Sequence, residues 1–154
     1  MSAAPPDLGT LSRVVSDATA ARVAERLLAA GFDDVRGPQR GVVEGMVAGD
    51  ATVTQLAVRL GVSAQAVSKT VTELERSGYV RRGHHERDQR TRPLQFTPRG
   101  DELVDALRRA RESVGRELGR WLGTRDTAEL ARLLEHAAEH LVGVQADSRM
   151  GIRL

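Results

Sequence analysis

Residues Thr52 to Gly78 read TVTQLAVRLGVSAQAVSKTVTELERSG, and the punctuation of this stretch decides the fold. Thr52 and Gln55 have the spacing of a capping box and open a short helix whose apolar face is Leu56, Ala57 and Leu60. Gly61 breaks that helix, Val62 packs the turn, and Ser63 caps a second helix that runs to about Ser77, where Gly78 stops it. Two short helices joined by a Gly-containing turn form a helix-turn-helix. In the second helix Val67, Val71 and Leu74 fall at i, i+4 and i+7 and must point inward. Gln65, Ser68, Lys69, Thr72 and Arg76 are thereby left on the opposite side.

Downstream, Tyr79 to Arg82 predicts a strand, Gly83 to Thr91 a polar turn, and Arg92 to Phe96 a returning strand with Leu94 and Phe96 on one face. Pro93 lacks an amide donor, which predicts an edge position for that strand. Thr97 and Pro98 supply a cap and a first-turn proline for a long helix bearing Leu103, Leu107, Ala110, Val114, Leu118 and Trp121, ended by Gly123. A last helix carries Leu130, Leu134, Ala137 and Leu141, and the chain frays from about Gln145. Upstream, Asp7 caps a helix in which Leu11, Val14, Ala18, Ala21 and Leu28 form the apolar stripe until Gly31. The next helix starts near Pro38 and reaches about Ala48 with Val42, Val43, Met46 and Val47 inward. Its glycines, 37, 41, 45 and 49, recur every four residues, which signals close approach by a neighbouring helix; the segment is too polar for a membrane dimer motif. The fold class is therefore mainly α with a small β-hairpin wing. The expected organisation is a disordered tail over 1–7, a winged helix-turn-helix over 34–97, and dimerisation helices over 8–33 and 98–154, all in one domain.

Composition narrows the function. The chain has 154 residues, enough for one domain, and aromatics at 3% leave Leu, Val and Ala to build its core. It has no cysteine, so disulfides, thiolate catalysis and thiol redox sensing are excluded. No stretch approaches the roughly 18–20 apolar residues of a membrane span, and Met1 to Thr10 lacks the features of a secretory signal, so a cytoplasmic protein without membrane partner is expected. Among 23 basic residues only Lys69 is a lysine. From Arg76 to Arg99, seven arginines face only Glu86 and Asp88, a local balance of +5 that leaves −3 for the rest of a chain whose total is +2. A basic strip on a slightly acidic body points to a localised polyanion.

The side chains on the strip and beside it have the chemistry of DNA reading. Gln65 can pair bidentately with adenine, Ser68 can donate to or accept from base edges, and Lys69 reaches guanine or phosphate. Free amides near Ser63 favour phosphate. In the hairpin, Asp88 lies two residues before Arg90 and can hold that guanidinium in a pose suited to the minor groove, with Arg87 and Arg92 flanking it toward phosphates. Arg76 and Arg82 complete the phosphate-facing set. The first and last helices carry apolar stripes that the winged unit is too small to cover, which calls for a two-fold partner reading half-sites roughly 10 bp apart.

These residues resemble the winged helix-turn-helix of the MarR family of bacterial transcriptional regulators. The matching elements, in order, are Leu56-Ala57, Leu60-Gly61-Val62-Ser63, Val67-Ser68, Leu74-Glu75, Gly78-Tyr79-Val80, Asp88-Gln89-Arg90, Leu94 and Phe96-Thr97-Pro98-Arg99-Gly100. The flanking helices match the family layout, so the resemblance covers nearly the whole chain; Gly83-His84-His85-Glu86 departs from the Pro-containing turn the family often has there. The resemblance implies a homodimer with interleaved terminal helices. It places two recognition helices in successive major grooves of double-stranded DNA and two wings in the flanking minor grooves. Gln65, Ser68, Lys69 and Thr72 would face bases, and Arg90 the minor groove. It also implies repression relieved by a small, commonly aromatic effector held between the dimerisation and DNA-binding regions.

The competing reading is a winged-helix protein-interaction module without DNA binding, its basic strip serving an acidic protein. No cofactor is expected. No Ser/His/Asp arrangement, paired carboxylate motif or phosphate loop suggests an enzyme. His136 and His140, four apart beside Glu139, are too few ligands to argue a metal site. His84 and His85 suit phosphate or water, and Trp121 belongs to the core or a dimer interface.

Overall fold

Four helices begin where a side-chain cap is offered. The computed structural model describes residues 7–83 and 93–142. Asp7 opens α1 (Leu8–Ala29) by accepting from the Thr10 amide at 3.1 Å; Thr10, chiefly through its hydroxyl, holds this carboxyl below the usual carboxylate range. Thr52 and Gln55 form the expected capping box on α3 (Val53–Leu60), Ser63 caps α4 (Ala64–Arg76), and Thr97 caps α5 (Pro98–Leu122). The second helix, α2, spans Gly37–Val47, and α6 spans Thr124–Val142. Gly31, Gly61, Gly78 and Gly123 follow helices with positive φ, a backbone that L side chains rarely adopt.

The glycine spacing in α2 is explained at two positions. A Cβ on Gly45 would collide with Leu56, and one on Gly41 would stand 3.3 Å from Leu60. Helix α3 therefore sets its Leu56 and Leu60 side chains directly against the backbone of α2, the close approach of a neighbouring helix that the periodicity predicts. Val42, Val43, Leu56, Val67, Val71 and Leu103 are among the most buried side chains, joining α2, α3, α4 and α5 into one core.

Strands β1 (Val80–Arg82) and β2 (Leu94–Phe96) pair antiparallel, Val80 with Phe96 and Arg82 with Leu94. The Gly83 amide donates to the Pro93 carbonyl at 2.7 Å. On the far side of β2, the Leu94 amide donates to Ala51, also at 2.7 Å. The strand expected at an edge thus has a single-residue neighbour outside it, and Pro93, at its start, contributes only a carbonyl.

Several apolar residues are not where periodicity places them. In α1 the buried pair is Val23 and Leu27, whereas Leu11, Val14 and Leu28 are exposed. Only the C-terminal half of α1 lies along α5, where Arg22 and Arg26 both reach Glu117 at 2.6 Å. Val47 and Val62, read as inward or turn-packing, are exposed, because α2 ends and the turn runs at the surface. The α5 stripe is buried through Val114, then emerges: Leu118 is half-buried and Trp121 is 81% exposed, so Trp121 is not a core residue of the single chain. On α6, Leu130, Leu133 and Leu134 are exposed. Among the described residues no helix is long and apolar enough to cross a membrane.

Candidate nucleic-acid interface

The recognition candidate is α4, and the sequence around it explains its rigidity. Gly61 adopts a left-handed turn (φ +63°), the Val62 amide donates back to Ala57, and Ser63 Oγ accepts from the Ala66 amide at 3.2 Å. The Ser63 hydroxyl proton is therefore available to an incoming acceptor, beside the first-turn amides that favour anions. Val67, Val71 and Leu74 are buried as the spacing requires. Gln65, Lys69 and Arg76 are exposed on the opposite face, with Ser68 and Thr72 half-buried between them. The structure thus assembles the six α4-associated residues read from sequence, Ser63 included, on the outer side of one helix.

Thr72 has a narrower role than its type suggests. Its hydroxyl donates to the Ser68 carbonyl at 3.0 Å, so a base edge would meet its methyl group or a remaining lone pair. Two carboxylates on the same helix, which the sequence reading left without a role, are turned to the scaffold. Glu73 accepts from Gln39 Nε2 of α2 at 2.6 Å, and Glu75 accepts from Arg82 Nε of β1 at 3.2 Å. Near a polyanion these charges would repel. The sequence signal for them was the presence of acids on an otherwise uncharged or cationic face.

The basic strip is not uniformly free. Arg82 is tied through Nε to Glu75, and Arg99 lies over the Tyr79 ring at 4.9 Å with Nη2 3.3 Å from its hydroxyl. Arg76 and Arg81 are exposed. Arg87, Asp88, Arg90 and Arg92, with His84 and His85, lie outside the described residues.

Beneath the strip, Tyr79 joins three segments. It is buried against Phe32, ring centroids 6.1 Å apart, and its hydroxyl donates to Asp34 Oδ1 at 2.7 Å. Burial pushes the Tyr79 phenol above its ordinary value, and the Asp34 hydrogen bond acts in the same direction. For Asp34 burial is also the largest influence and pushes upward, but hydrogen bonds from Ser77 and Tyr79 outweigh it and hold the carboxyl below the usual range. The Tyr79 carbonyl accepts from the Thr97 amide at 3.0 Å, and a Cβ on Gly100 would collide with that carbonyl. This node fixes the hairpin base against the start of α5.

A cavity of about 500 Å³ lies between α1, α2 and α5, with Thr19, Val23, Arg40, Glu44, Arg111 and Leu118 in its wall. Arg40 donates to the Ala20 carbonyl at 2.8 Å, and Arg111 pairs with Glu44, so charged bonds span its walls. His136 and His140 are exposed on α6. Among the described residues no three His, Asp or Glu side chains gather to hold a metal ion.

A helix-turn-helix followed by a two-stranded hairpin and flanked by long helices defines a winged helix-turn-helix protein with helical extensions. The family model described as MarR family matches residues 37–91. Solved structures share the fold over most of the chain. The reduced form of MarR from Escherichia coli has 20% identity and a TM-score of 0.74, covering 88% of this chain and 98% of that one. The transcriptional regulator Tm0710 from Thermotoga maritima has 20% identity and a TM-score of 0.66, covering 89% and 97%. The Mycobacterium tuberculosis MarR family protein Rv2887, solved in complex with DNA, has 21% identity and a TM-score of 0.66, covering 86% and 98%. Comparison with curated proteins gives no match. Residues 37–91 of this chain are thus similar to the MarR family, and the chain as a whole shares its fold with these solved structures.

Proposed function

We propose that the protein is a homodimeric, sequence-specific DNA-binding regulator that represses from a pseudo-palindromic operator in the cytoplasm and is relieved by a small, aromatic effector. The observation that carries the reading is the composition of α4's outer face. It holds Gln65, Ser68, Lys69, Thr72 and Arg76, while both carboxylates of the helix are bonded to neighbouring elements. Such a face offers hydrogen bonds to base edges and positive charge to phosphates. The residues of the hairpin tip, Arg87, Arg90 and Arg92 with Asp88 as support, are assigned to the minor groove and phosphates on their sequence and the resemblance alone.

Dimerisation is supported by the uncovered apolar surface at the far end of the molecule. Leu8, Leu11, Val14 and Val15 of α1, Trp121 of α5 and Leu130, Leu133 and Leu134 of α6 are all exposed in the single chain. A second copy related by two-fold symmetry would bury them and set the two α4 helices apart by a fixed distance. Effector relief is supported by the cavity between α1, α2 and α5, whose volume of about 500 Å³ suits a small molecule.

The test is selection of full-length protein on a randomised duplex pool, followed by footprinting on the enriched sequence and light scattering of the complex. The expected result is a footprint with two half-sites about 10 bp apart and two protomers per duplex. Failure to enrich any sequence, with monomers throughout, would overturn the proposal.

A further inference from the structure

Every cationic side chain of this protein but one is an arginine: 22 arginines and a single lysine, Lys69. That lysine sits on the outer face of α4, one turn beyond Gln65, and is exposed. Among the described residues no carboxylate lies within ion-pair distance of its ammonium. Glu73, four residues on, accepts from Gln39. Lys69 also borders a second cavity, about 660 Å³, between α2, α3 and α4. Its walls include the apolar side chains of Leu60, Val62 and Val67, and Arg36 shares its lining.

Toward phosphate lysine acts as a point charge and arginine as a bidentate fork, and arginine is also the stronger partner for guanine. What lysine alone offers is a primary amine that can be acylated, which removes its charge. The cavity supplies what such a reaction needs around the amine: a cation, Arg36, for the phosphate groups of an activated acyl donor, and an apolar wall for the acyl chain.

We propose that Lys69 is an acylation switch on the recognition helix, taking an acyl group from an acyl thioester or an acyl phosphate. The ammonium first gives one proton to solvent, and Nζ of the resulting amine attacks the donor's carbonyl carbon; a C–N bond forms as the C–S or C–O bond breaks. The thiolate or phosphate leaves with the bonding electrons, and a second proton passes from the nitrogen to solvent. A neutral amide replaces the ammonium at the centre of the DNA-facing surface. The consequence rests on the proposed DNA binding: duplex affinity falls, and the dependence of log affinity on log salt becomes shallower by about 1 per modified side chain.

The experiment incubates purified full-length protein with acetyl phosphate, with acetyl-CoA, or with neither, and locates acetyl groups by peptide mass spectrometry. Each sample is then titrated with the duplex recovered by selection, and Lys69→Arg is carried through the same steps, every protein being compared with its own untreated sample. The expected result is acetylation of Lys69 in at least one donor arm, which identifies the source. Duplex affinity should drop about tenfold in that arm, and Lys69→Arg should lose none of its starting affinity on treatment. Three results would overturn the switch: Lys69 left unmodified by both donors, Lys69 acetylated with affinity unchanged, or an equal loss in treated Lys69→Arg. Untreated wild-type protein that holds no duplex would instead refute the DNA-binding reading, whatever the mass of the Lys69 peptide.

Discussion

Replacing Gly100 by alanine should loosen the hairpin base from α5. The added Cβ would overlap the Tyr79 carbonyl, and a Cβ does not come closer than about 3.0 Å to such an atom. The start of α5 must therefore back away from the node. Three bonds depend on that approach: Thr97 amide to the Tyr79 carbonyl at 3.0 Å, Thr97 Oγ1 to the Gly78 carbonyl at 2.5 Å, and the cap from the Gly100 amide to Thr97 Oγ1 at 3.1 Å. At about 1 kcal/mol for each bond, and an offset of up to about 1 kcal/mol from the helix preference of alanine, the net loss is roughly 2 kcal/mol. With a urea slope of about 2 kcal/mol/M, the unfolding midpoint should fall by about 1 M. Gly115→Ala on the same helix has nothing within 4 Å of its new Cβ and keeps only the helix-propensity gain, so its midpoint should rise by up to about 0.5 M. Both are read by circular dichroism at one protein concentration, because a dimer's stability depends on concentration. Equal midpoints for Gly100→Ala and wild type would refute the close approach, and a drop for Gly115→Ala would refute the open space beside it.

Tyr79→Phe removes the hydrogen bond to Asp34 and should cost about 1 kcal/mol in urea unfolding at neutral pH. The Asp34 carboxyl is held below its ordinary value in the fold, so its contribution is present above the unfolded pKa of about 3.9 and is lost as pH falls through the lowered folded value. Asp34→Asn should flatten that part of the acid limb in midpoints measured from pH 6 to pH 3, and an unchanged limb would refute the assignment. Trp121 is the chain's one tryptophan and is exposed in the single chain. Its emission should shift to the red as protein is diluted, and Leu134→Glu should give that red-shifted spectrum and a monomer by light scattering at any concentration. Duplex affinity should fall with log salt at a slope near −6 if each protomer neutralises three or four phosphates, and Arg90→Ala should weaken binding at least about tenfold; unchanged affinity would favour the protein-interaction module.

What the sequence made legible was local. Asp7, Thr52 with Gln55, Ser63 and Thr97 cap the helices they precede, because a short polar side chain and its acceptor amide lie within three residues of one another. The outward set on α4 followed from three buried positions, since helical geometry leaves the remaining residues one side to occupy. What stayed illegible was partnership. Periodicity marked a stripe on α1 through Leu11, Val14 and Leu28, yet a stripe does not say whether its own chain or a second copy covers it; Val23 and Leu27 take the contact with α5. Charge counting failed for the same reason. Arg82 and Arg99 belong to the basic strip by sequence, but each is engaged by a side chain on another element, Glu75 of α4 or Tyr79 before β1.

The bonds that hold α4 also suggest how an effector would be felt there. Helix α2 forms a wall of the cavity between α1, α2 and α5 through Arg40 and Glu44, and on its other side Gln39 holds Glu73 of α4. Glycines 41 and 45 let the Leu60 and Leu56 side chains of α3 rest on the α2 backbone, leaving little slack between the two helices. A molecule that parted Arg111 from Glu44, or Arg40 from the Ala20 carbonyl, would loosen α2 from α1 and from the Arg111 end of α5 while leaving it packed on α3 and α4. In the proposed dimer, α1, α6 and the C-terminal part of α5 form the fixed frame, and the winged unit would turn against it together with the start of α5, to which the Tyr79 node ties it. The spacing of the two α4 helices would then change without any change in their shape. Relief of DNA binding by such a turn needs no rearrangement of the base-reading side chains, which is consistent with their being set by buried residues and scaffold bonds on the opposite face.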